Sequence, residues 1–197
     1  MLFSTAYLPP ISYFQKIAAS PVVSIEKYEH FTKQTYRNRC LIYGANGVQT
    51  LSIPLVNTHE KILITEKQIA YKENWQNQHW RSIESAYRGS PYFIYYEDDL
   101  KKYYEKKFEF LFEYNTEMLR TIFKLLKLEV KIEFTGEYVR KTDDDFRDLI
   151  SPKSAGNDNA FRPYTQVFGE KHGFKPDLSI VDLLFNIGPG AKEYLNA

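Results

Sequence analysis

LFSTAYLPPISYFQKIAASPVVSI, residues 2–25, is the stretch on which the fold class turns. Leu2 to Leu8 is a short apolar run closed by Pro9-Pro10, where a strand loses its donor, so it reads as a buried strand. Ile11, Phe14, Ile17 and Ala18 recur at helical spacing and predict a helix over Ser12–Ala19. Ser20-Pro21 ends that helix, and Val22–Ile25 starts a second strand. Strand, two-turn helix, strand is an α/β opening.

Outward from it the elements stay mixed. Arg39–Tyr43 and Val48–Leu55 flank Gly44-Ala45-Asn46-Gly47, and Asn-Gly predicts a tight hairpin because both residues tolerate positive φ. Ile62–Thr65 reads as a further strand. Trp75, His79, Ile83 and Tyr87 fall on one face of a helix over Asn74–Tyr87, stopped by Gly89 and Pro91. A helix follows over Pro91–Lys107. A long amphipathic helix over Phe108–Leu128 then carries Phe108, Leu111, Phe112, Asn115, Leu119, Ile122 and Leu126 on one stripe. Val130–Phe134 is a strand candidate, and Thr142-Asp143-Asp144-Asp145 resembles a helix start with carboxylates near its dipole. Residues 151–163 read as a loop and Leu178–Phe185 as a short buried helix. The expectation is a mixed α/β (α+β) fold: short strands with an Asn-Gly hairpin, packed on several helices. The 197 residues suit a single domain, 1–197.

Composition narrows the function classes. With 43% hydrophobic and 16% aromatic residues the chain is not disordered. A net charge of +1 gives no electrostatic footprint for nucleic acid. The single cysteine, Cys40, cannot form an internal disulfide, and no apolar run approaches the roughly 20 residues of a membrane span. The expectation is a soluble cytoplasmic protein without a membrane span; a homo-oligomer is left open. P-loop, dinucleotide-turn, G-x-S-x-G and H-E-x-x-H motifs are missing. The four histidines are scattered, so neither metal nor cofactor is expected.

The candidates for chemistry are few. His79 lies on an apolar helix face: either a core histidine with both nitrogens hydrogen-bonded, or a ligand-binding group or catalytic base. Lys33-Gln34-Thr35-Tyr36-Arg37-Asn38-Arg39 puts three cations and two amides together before the hairpin, which suits an anionic small molecule or a solvated strand edge. On a strand, Arg37 and Arg39 would share a face. Cys40 reads as a buried structural thiol. Asp182 and Asn186, four apart, either brace the C-terminal helix or line a pocket.

Together these residues resemble the WbqC-like family. The resemblance rests on Tyr7-Leu8-Pro9 with Tyr13-Phe14, on Asn38-Arg39, Gly47, Ile53-Pro54, Trp75 with His79, Tyr87 and Pro91-Tyr92-Phe93. It continues in Gln166 and the run Pro176-Asp177-Leu178-Ser179-Ile180-Val181-Asp182-Leu183-Leu184-Phe185-Asn186-Ile187-Gly188. It implies a place in O-antigen and other surface-polysaccharide pathways, with aminoacyl or acyl transfer to a sugar amine as the suggested reaction. In that reading Lys33, Arg37 and Arg39 hold phosphate or carboxylate of a nucleotide sugar or acyl donor. Tyr7, Tyr36 and Tyr87 contact the sugar, with Asn38, Gln166, Asp182 and Asn186 as further ligand groups, and His79 moves the proton. The alternative is a non-catalytic binding or assembly protein of the same pathway. The chain departs from the family at Ser4-Thr5-Ala6, where His-Gln-Pro is common, and over Leu149–Pro163.

Overall fold

In a computed structural model, which describes residues 1–57, 61–148, 152 and 161–196, the opening strand joins a parallel sheet. β1 (Leu2–Ser4), β2 (Val22–Glu26) and β5 (Lys131–Phe134) lie side by side in that order, with Leu2 opposite Ser24 and Val23 opposite Ile132. α1 (Ile11–Ala18) links β1 to β2 and buries Ile11, Phe14 and Ile17. A parallel pair needs such a crossover, so the α/β reading of residues 2–25 holds. The strand stops at Ser4 rather than Leu8. The Tyr7 amide leaves the sheet to bond the Tyr36 carbonyl at 2.8 Å, and Leu8 turns to φ 41°. Residues 5–8 are as buried as a strand would be, and burial alone misleads there.

β3 (Arg39–Gly44) and β4 (Gly47–Ser52) form a separate antiparallel hairpin with Gly44 opposite Gly47. Only Gly47 takes positive φ, at 106°, so the Asn-Gly signal acts through its glycine. β4 ends at Ser52 instead of Leu55, because Pro54 has no amide to donate.

Two expected elements are corrected. Ile62–Thr65 is not a strand: Leu63 makes a single bridge to His30, and the chain then tightens into a 3-10 turn, Ile64–Glu66. Thr142–Asp145 does not start a helix. Leu2 donates to the Asp144 carbonyl and accepts from the Phe146 amide, so the segment attaches to the open edge of β1. The loop expected over 151–163 lies outside the described residues except at 152 and 161–163.

α2 (Trp75–Tyr87), α3 (Phe93–Glu105) and α4 (Leu111–Leu125) pack around one hydrophobic core that reaches both sheets. The periodic faces are the buried ones: Trp75, His79, Ile83 and Tyr87 on α2, and Leu111, Asn115, Leu119 and Ile122 on α4. Past α5 (Gly169–His172), α6 (Ile180–Ile187) is buried almost throughout, and α7 (Ala191–Leu195) closes the chain. The tail folds back on the opening: the Ser12 amide and hydroxyl donate to the Asp177 carboxylate at 2.7 and 2.9 Å, capping the first turn of α1. No helix among the described residues is long and apolar enough to cross a membrane.

Candidate functional site

The cation-rich segment ahead of β3 divides in two. Lys33, Gln34, Asn38 and Arg39 line a groove of about 220 Å³ together with Phe31, Leu55, Val56, Asn57 and Lys67. Among the described residues neither Lys33 nor Arg39 forms an ion pair. Arg39 Nε is buried without a hydrogen-bond partner. Asn38 Nδ2 donates to the Ile53 carbonyl at 2.9 Å, which fixes the amide and leaves Oδ1 as an unused acceptor. Lys67 is anchored: its ammonium donates to the Val56 carbonyl at 2.7 Å and lies 5.4 Å from the centre of the Phe31 ring. Burial and the nearby charge of Lys33 push its amine below the ordinary lysine value. The described lining contains no carboxylate.

Arg37 goes elsewhere. It sits in the turn before β3, not on the strand, so strand alternation does not apply and it shares no face with Arg39. Its guanidinium is buried against Glu29, bonding Oε1 through Nε at 2.9 Å and Oε2 through Nη2, and it also donates to Ser4 Oγ. This pair lies just beyond the carboxyl ends of β1 and β2. There Arg147, braced by Asp145, reaches Glu26 at 3.6 Å. Ser4, Tyr13, Tyr36, Arg37 and Arg147 line a cleft there of about 10 Å³, room for a single water. Each arginine is matched by a carboxylate, so the cluster reads as internal neutralisation.

His79 is enclosed. The Tyr7 hydroxyl is 3.0 Å from His79 Nδ1 and 2.8 Å from the Tyr104 hydroxyl, and the imidazole also bonds the Ser52 carbonyl. A carbonyl only accepts, so the ring donates there and Nδ1 accepts from Tyr7. Burial lowers the imidazole to about 4, and it is neutral at pH 7. Cys40 is wholly buried, and burial raises its thiol far above the range in which a thiolate forms.

A third cluster surrounds Asp182, which is fully buried. Tyr164 at 2.6 Å and Gln166 at 2.9 Å donate to its Oδ1, and Tyr87 at 3.0 Å donates to Oδ2. Asn186 donates to its backbone carbonyl. Burial pushes the carboxyl up, and these donors partly offset it. Gln166 also ties down the Lys175 peptide, so the cluster fastens the 164–175 segment to α6.

Of the residues expected to share a site, the groove collects Lys33, Asn38 and Arg39. Tyr36 and Arg37 face the sheet-end cleft, Tyr7 and His79 pair in the core, and Tyr87, Gln166, Asp182 and Asn186 form the carboxylate cluster. Phe31, Leu55 and Lys67 were missed because only the fold brings them to the groove; no spacing rule links position 67 to position 33.

Comparison with known proteins agrees with the sequence pattern. The chain is 28% identical over 222 aligned positions to the uncharacterized protein Rv1507c of Mycobacterium tuberculosis (strain ATCC 25618 / H37Rv), covering 96% of this chain and 94% of that one. No solved structure matches it. The match to the WbqC-like protein family runs over residues 5–161, taking in the Tyr7 turn, the hairpin and every residue of the groove and ending before α6. On that match, the chain belongs to the WbqC-like protein family.

Proposed function

We propose that this protein binds a phosphate-bearing small molecule, an activated sugar or an acyl donor, in the groove of Lys33, Asn38 and Arg39. Its setting would be the cytoplasmic side of surface-polysaccharide synthesis. The observation that carries the reading is the unmatched charge: among the described residues Lys33 and Arg39 have no carboxylate partner, whereas Arg37 and Arg147 do. A guanidinium fork and an ammonium at one concave surface suit a phosphate.

Acyl or aminoacyl transfer to a sugar amine would add a base to this site. The buried, doubly bonded His79 and the buried Cys40 favour the binding reading over the catalytic one. Titration calorimetry of the whole chain with inorganic phosphate and with phosphorylated sugars tests the proposal. Arg39→Ala is expected to weaken binding by about tenfold to a hundredfold, the worth of a charge-assisted hydrogen bond. Binding that ignores Arg39→Ala, or no binding at all, would overturn it. A His79→Gln protein that keeps ligand affinity but loses turnover of an acyl donor would restore the catalytic reading.

A further inference from the structure

We infer that the groove is built for a phosphomonoester whose organic part is no larger than one sugar ring, and not for a nucleotide-linked sugar; this rests on the phosphate reading above. Size is the first argument. About 220 Å³ is below the roughly 300–1,000 Å³ of sites that enclose drug-sized ligands. A nucleoside diphosphate sugar would project most of its length into solvent.

The distribution of chemistry is the second. Charge enters from Lys33 and Arg39, and the Arg39 guanidinium donates to no protein acceptor among the described residues. Lys67 is committed to the Val56 carbonyl and the Phe31 ring, so the charge in this argument is that of Lys33 and Arg39. An entering phosphate therefore meets two cations in the lining, with no carboxylate among its described residues. Leu55, Val56 and Phe31 offer an apolar wall for the carbon face of a ring, and the amides of Gln34, Asn38 and Asn57 suit hydroxyls beside it. A larger concavity of about 590 Å³ lies beside the hairpin turn. Its described lining has Arg81 as its single cation and no aromatic ring, and the nearby Lys171 and His172 are held on the Ala45 carbonyl, so a nucleotide would find no stacking surface there.

Calorimetry of the whole chain with sodium phosphate, glucose 1-phosphate and UDP-glucose tests this. Glucose 1-phosphate should bind about tenfold or more tightly than either of the others, and Arg39→Ala should weaken it by at least about tenfold. Val56→Trp is the second probe. Val56 is 39% exposed, so the change spares the core; it should abolish glucose 1-phosphate binding and leave inorganic phosphate binding in place. Equal or tighter binding of UDP-glucose that depends on Arg39 would overturn the size argument and leave the phosphate reading standing. So would glucose 1-phosphate binding no better than phosphate. Failure of all three to bind, or binding indifferent to Arg39, would overturn both.

Discussion

The Tyr7 hydroxyl donates to His79 Nδ1 across 3.0 Å, joining the turn after β1 to the middle of α2 over 72 residues of chain. The bond fixes the imidazole as a neutral acceptor on one side and a donor to Ser52 on the other. Its first consequence is for stability.

Unfolded, His79 titrates near its ordinary value of 6.5; folded, near 4. The unfolded chain takes up the proton first, so the contribution is full above pH 6.5 and is lost as pH falls toward 4. Over that window it amounts to roughly 3 kcal/mol. Urea unfolding at pH 7 and pH 4.5 should show His79→Gln losing less stability on acidification than the parent, with a cost of about 1 kcal/mol at pH 7. Parallel pH profiles for the two proteins would count against an enclosed imidazole.

Asp177 works in the opposite sense. Burial raises its carboxyl to about 6, against the pull of the two Ser12 donors, whereas the unfolded value is 3.8. The folded chain protonates first as pH falls. The contribution is present below pH 3.8 and lost as pH rises through 6, by up to about 3 kcal/mol. Between pH 4 and 6 the two groups oppose each other and flatten the parent's profile. In Asp177→Asn the His79 slope should stand alone, steeper than in the parent by the same measurement.

The Glu29–Arg37 pair holds β1 and the pre-hairpin turn together inside the protein. Glu29→Ala strands a buried guanidinium and should cost about 3–5 kcal/mol in chemical denaturation. Pairing Glu29→Leu with Arg37→Met should recover most of that loss. A double variant as unstable as Glu29→Ala would argue that the charges themselves are needed.

Gly188, after α6, has φ 53° and ψ −122°, and a Cβ there would fall 2.4 Å from the Tyr92 ring. Gly188→Ala should destabilise by about 2–4 kcal/mol, combining backbone strain with the clash. Adding Tyr92→Ala should return only the part due to the ring, leaving the backbone cost measurable by urea titration.

Helices were the most legible elements, because α2 and α4 repeat their apolar residues every three or four positions, and that repeat is their burial pattern. The hairpin was legible from one glycine. The parallel sheet was not: β1 is three residues long, and β2 meets β5 from more than a hundred residues away, beyond any local signal. At the site, Lys33, Asn38 and Arg39 stood out as a cluster of charge and amide. The departure of Arg37 from that cluster depended on Glu29, a partner that composition and alternation do not point to.

The sequence by itself determined that this chain folds as mixed α/β elements around an aromatic core, because period and punctuation act over a few residues. Tertiary structure alone decided which cations are neutralised by carboxylates and which, among the described residues, are not. Charge matching depends on distances between segments far apart in the chain, and those distances exist only once the core has closed.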